Sequence, residues 1–145
     1  MLSVVFTAGF GFMAYEIAYS TPVDPGCIAY EQAGLDMYSQ FGADGQALAA
    51  ANASGDTTQE AAANQKILGD LKSVEAAAGN AEKVTQRANV RVAIAKAAGD
   101  TQLFYSAYSQ YIADGSGSAS LTTAEQSMLT DGKAVLTLCG DATDG

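Results

Sequence analysis

The sequence predicts an all-α protein: an N-terminal apolar helix over residues 1–21, a Pro/Gly hinge over 22–26, a helical bundle over 27–140 and an acidic tail over 141–145. Three observations lead there. Residues 1–19, MLSVVFTAGFGFMAYEIAY, carry a single charge, Glu16, and no Lys or Arg occurs before Lys66. Apolar residues beyond position 26 recur at three- and four-residue spacing, the period of a helix with one buried face. Two cysteines, Cys27 and Cys139, bracket that region.

At about 1.5 Å per residue the N-terminal run reaches roughly 28 Å as a helix, near the hydrocarbon thickness of a bilayer. Ser3, Thr7, Gly11, Ala14 and Ala18 fall on one of its faces, a small-residue stripe of the kind that lets helices pack closely. Phe6, Phe10, Met13 and Ile17 form the bulky neighbouring face. Only Leu2 and Ser3 separate Met1 from the run, without the basic flank of a secretory signal or signal anchor. The expectation is that residue 1 is either a processed N-terminus or an initiator with an unusual orientation signal.

After the break at Ser20 to Gly26, Cys27, Tyr30, Gly34, Met37, Phe41 and Leu48 set out a helix over 27 to about 52, with a bend expected at Gly42 to Gly45. Thr57 with Glu60 has capping-box spacing before the stripe Ile67, Leu71, Val74, Ala78, and Gly79 is expected to close that helix. Asn80 is expected to cap a third helix to about Ala98, with a short strand over Val90 to Ile94 as the alternative. Beyond Gly99-Asp100, the segment Leu103, Phe104, Ala107, Tyr108, Tyr111, Ile112 is the densest aromatic face, ending in the loop Asp114 to Ser118. Thr122 and Glu125 repeat the capping-box spacing, and Met128, Gly132, Val135 and Cys139 carry the last helix.

Composition bounds the function. With 48% hydrophobic and 16% charged residues the chain of 145 residues is not of a disordered class. Much of its hydrophobicity is Ala, so its core is expected to be thin and to benefit from a covalent tie. Cys27 and Cys139 are the expected disulfide, which requires an oxidising compartment and so a location outside the cytosol. The absence of histidine removes Ser-His-Asp and Cys-His catalysis and imidazole metal sites, and no carboxylate pair sits in a catalytic motif. No enzyme activity, cofactor or metal is expected.

The net charge of −9 opposes nucleic-acid binding. Six of the seven bases lie in residues 66–96, and there Lys83, Arg87 and Arg91 recur every four residues. They are expected to form a ridge on one helix face, either solvated or paired within the chain, or else docking an acidic neighbouring subunit. Asn52-Ala53-Ser54 is an N-glycosylation sequon placed in an expected loop, which makes Asn52 a candidate acceptor. The tyrosines at 105, 108 and 111 admit a ligand-binding bundle as a minor alternative.

The segment Met1 to Tyr19, with Pro22 after it, resembles the N-terminal helix of mature type IV pilins and related archaeal filament subunits. That resemblance covers the first 22 residues. It implies a subunit whose apolar helices bundle in a filament core after leaving the membrane, with the soluble domain outside. The chain departs from the pattern at Val5, where bacterial type IV pilins usually have Glu, and in a soluble part that reads helical where those families carry a β-sheet. The function expected is therefore a structural subunit of an extracellular filament or envelope assembly, its partners copies of itself and, transiently, membrane lipid. The alternative is a single-pass accessory or virion membrane protein docked on a larger membrane complex.

Overall fold

A computed structural model describes residues 24–141, and these form four helices. They are α1 (Pro25–Ser54), α2 (Thr57–Val84), α3 (Ala88–Asp114) and α4 (Ser118–Asp141). No strand occurs among the described residues, so Val90 to Ile94 is helical. Connections of two or three residues force each helix to run antiparallel to the one before it, giving an up-down-up-down bundle. The N-terminal run, with Ser3, Thr7, Gly11, Ala14 and Ala18, and the tail beyond Asp141 lie outside the described residues.

Each helix buries the stripe its sequence lays down. Cys27, Gly34, Met37, Phe41 and Leu48 of α1 are buried, as are Ile67, Leu71 and Ala78 of α2 and Met128, Gly132, Val135 and Cys139 of α4. From α3, Phe104 and Tyr108 are the largest fully buried side chains, with ring centroids 6.1 Å apart. Leu103, expected on that face, is instead 63% exposed. The backbones of α1 and α4 approach at few positions, and Met37, Phe41, Met128 and Leu136 share the core cluster that spans between them. Alanines fill a second cluster, where Ala78, Ala81 and Ala97 pack with Val90, Ile94, Val135 and both cysteines.

Helix boundaries differ from expectation at four places. Gly42 to Gly45 lie inside an uninterrupted α1. Asp56, not Thr57, caps α2: its carboxylate accepts from the N–H groups of Thr58 and Gln59 at 3.1 and 3.0 Å. Gly79-Asn80 and Gly99-Asp100 are both helix interior, so two expected breaks are absent and one occurs at 85–87 instead. A mid-helix Gly costs about 1 kcal/mol relative to Ala, less than the burial of flanking Ala78, Ala81, Ala97 and Thr101 supplies. The fourth is α4, which starts at Ser118. Thr122 donates to the Ser118 carbonyl within the helix, and Glu125 is buried on its inner face, so neither belongs to a capping box. The loops at Gly55 and Gly115 do behave as turns, each glycine closing its helix with φ near +70°.

Candidate functional site

The two ends of the bundle differ in kind. At one end, where the chain enters α1, the Asp24 carboxylate gathers four donors. Gly26 N–H at 2.7 Å and Thr85 hydroxyl at 2.9 Å reach Oδ1, while the N–H groups of Gln86 and Arg87, both at 3.1 Å, reach Oδ2. One side chain thus caps its own helix and also satisfies the turn that leads into α3, whose N-cap residue Arg87 offers no side-chain cap of its own. Burial alone would raise the Asp24 pKa. The hydrogen bonds from Thr85 and from the Gly26, Gln86 and Arg87 backbone outweigh it, and the carboxyl sits below its ordinary value.

Gly26 is required for this approach, because a Cβ there would lie 2.7 Å from Thr85 Cα and 2.9 Å from the Ala81 carbonyl oxygen. One residue later, Cys27 is bonded to Cys139, with Cα atoms 5.6 Å apart. Arg87 Nη1 donates to the Leu138 carbonyl and Arg91 Nη2 to the Thr85 carbonyl, both at 2.8 Å. The start of α1, the α2–α3 turn and the end of α4 are therefore fastened to one another within a few residues.

This arrangement corrects the basic ridge. Lys83 belongs to the last turn of α2, Arg87 stands at the cap of α3 and Arg91 follows in α3, so the three share no helix face. The guanidinium groups of Arg87 and Arg91 are turned onto backbone carbonyls of their own chain. Asp24 was missed by sequence reasoning; its position before Pro25 marks a cap, but nothing in the sequence tells which remote N–H groups it would reach.

The opposite end holds a cavity of about 610 Å³ to which all four helices contribute. Buried Leu48, Tyr108 and Leu121 form its floor, and half-buried Glu60, Asn64, Tyr111 and Ile112 its walls. Exposed Asn52, Gly115, Ser118 and Thr122 form the rim. The Tyr108 hydroxyl donates to Asn64 Oδ1 at 2.6 Å. Burial, with lesser contributions from Tyr111 and Glu60, pushes the Tyr108 phenol above its ordinary pKa, so it remains a donor at any physiological pH. Asn52 lies in the last turn of α1 rather than in a loop, exposed, so its sequon and the cavity share one mouth.

Between the ends, carboxyl groups meet in pairs. Asp70 of α2 faces Asp44 of α1, and Asp100 of α3 faces Asp131 of α4, which also bonds Lys96 at 3.0 Å. Desolvation, then the partner carboxyl, pushes Asp70 up to about 7 and Asp100 up to about 6. The described residues contain no group of three or more His, Cys, Asp or Glu placed to hold a metal ion.

The fold is that of a disulfide-closed, antiparallel four-helix bundle. Compared with family models, with curated proteins and with solved structures, the chain matches none of them.

Proposed function

We propose that the protein is a structural subunit of an extracellular filament or envelope assembly, in which the bundle is the outer domain and the apolar residues 1–19 pack with those of neighbouring copies. The observation that carries this reading is the fastening of the bundle at its chain-entrance end. Asp24 and Cys27 follow the apolar run by only a few residues, and they tie that point to the α2–α3 turn and to the last helix. Force or displacement applied through residues 1–23 is thereby delivered to the whole bundle rather than to α1 alone.

A disulfide of this span fits an oxidising compartment, which supports a place outside the cytosol. No described helix is long and apolar enough to cross a membrane.

Electron microscopy of the native full-length protein without detergent tests the proposal. Filaments or ordered arrays that are lost in Gly11→Leu, with helicity of the bundle unchanged, are expected. Dispersed monomers would overturn the filament reading and favour the membrane-docked accessory subunit.

A further inference from the structure

We propose that the cavity at the end of the bundle remote from the disulfide is a binding site for a small organic cation, a protonated or quaternary amine carried on an apolar body. The inference is independent of the assembly reading.

Volume and anatomy come first. About 610 Å³ lies within the range of roughly 300–1,000 Å³ typical of small-molecule sites, and an apolar floor with polar walls is the usual arrangement. The floor, Leu48 with Leu121 and the Tyr108 ring, offers burial to a hydrocarbon or aromatic group.

Charge then selects the head group. Glu60 is the single ionisable acid or base of formal charge among the lining residues, and no Lys or Arg lines the cavity. An anion would meet a carboxylate and no counter-charge, in a chain of net charge −9. A cation meets the Glu60 carboxylate beside the half-buried Tyr111, and aromatic rings attract ammonium groups electrostatically. Asn64 is fixed by the bond from Tyr108 to its Oδ1, which leaves the wall preorganised. Cys27 and Leu48 are separated by about 30 Å along α1 at 1.5 Å per residue, so occupancy leaves the fastened end untouched.

The test titrates phenethylammonium, its neutral counterpart 2-phenylethanol and N-acetylglucosamine into isotopically labelled full-length protein, following the Asn64 side-chain amide and the Leu121 methyl groups by NMR. Saturable shifts with phenethylammonium, and at least tenfold weaker ones with the alcohol and the sugar, are expected. Glu60→Gln should weaken phenethylammonium binding about tenfold or more. Thr122→Trp, at the exposed rim, should close the cavity and abolish it while the melting temperature stays near that of the parent. Should Glu60→Gln fail to fold, the alcohol comparison and Thr122→Trp decide. Absence of saturable shifts, an alcohol or sugar that binds as tightly as the ammonium, or shifts that survive Thr122→Trp would each overturn the proposal.

Discussion

Asp24 and Thr85, 61 positions apart in the chain, are joined by a 2.9 Å hydrogen bond in which the threonine hydroxyl donates to the carboxylate. Thr85 is extended, at φ −67° and ψ 138°, and ends α2 at a place where no glycine or proline does so. With Gln86 and Arg87 also donating to Asp24, the turn has its N–H groups satisfied by a residue from the other end of a helical hairpin. A buried backbone break is costly unless its polar groups are paired, and here the partner is remote in sequence.

Replacing Asp24 by Ala should therefore cost about 2–4 kcal/mol, since it removes a helix cap and leaves the donors of the α2–α3 turn without their acceptor. Chemical denaturation at pH 7 measures it. The carboxyl is held below its ordinary value of 3.8, so its contribution is complete above that pH and is lost as pH falls through the lowered folded value. Parent and Asp24→Ala stabilities should accordingly converge in strong acid.

The Cys27–Cys139 bond closes a separation of 112 residues, for which the chain-entropy model gives about 5 kcal/mol. Reduction, or the double change to Ser, should lower the melting temperature by on the order of 15–25 °C for a domain of this size. Calorimetry with and without reductant provides the measurement, and unreduced mass spectrometry should return the linked peptide pair.

The paired carboxyls reverse the usual dependence of stability on pH. Asp70, facing Asp44 with Lys66 nearby, and Asp100, facing Asp131 with Lys96 nearby, are raised to about 7 and about 6. The folded chain thus keeps protons that the unfolded chain releases, and the stability contributed is full at pH below about 4 and is lost as pH rises through 6 and 7. Asp24 and Asp131, both lowered, act in the opposite sense in stronger acid. Melting temperature should peak in mildly acidic solution and fall toward neutrality. In Asp70→Asn, where an amide donates permanently to Asp44, the fall between pH 5 and 8 should shrink; an unchanged profile would place the dependence elsewhere.

Glu125 is 4% exposed, its Oε1 has no hydrogen-bond partner among the described residues, and burial raises its pKa. Exchange for Met, of similar length and without charge, should stabilise the bundle by about 1–3 kcal/mol at pH 7. The gain should diminish as pH falls and the parent carboxyl takes up its proton, which thermal melts across pH would read out.

What the sequence determined by itself is the helical class, the buried stripes and the pairing of the cysteines. Stripes such as Met37, Phe41 and Leu48 are legible because a helix repeats every 3.6 residues and burial acts on one face. Two cysteines in a chain that otherwise has none allow a single intramolecular pairing. The cavity was legible only as a run of tyrosines, since Glu60 and Asn64 come from α2 and Thr122 from α4 with no shared motif. Tertiary structure alone decided where α2 ends and α3 begins. Gly79 and Gly99 are weak helix formers, yet the packing around Ala78, Ala81, Ala97 and Thr101 keeps them helical. Thr85 to Arg87 carries no local signal to stop, and it stops because a carboxylate 61 to 63 residues earlier supplies the acceptors that an interrupted helix needs. The same contact draws Arg87 and Arg91 onto backbone carbonyls, so a four-residue spacing that reads as an outward ridge becomes a fastening between the end of α4 and the turn.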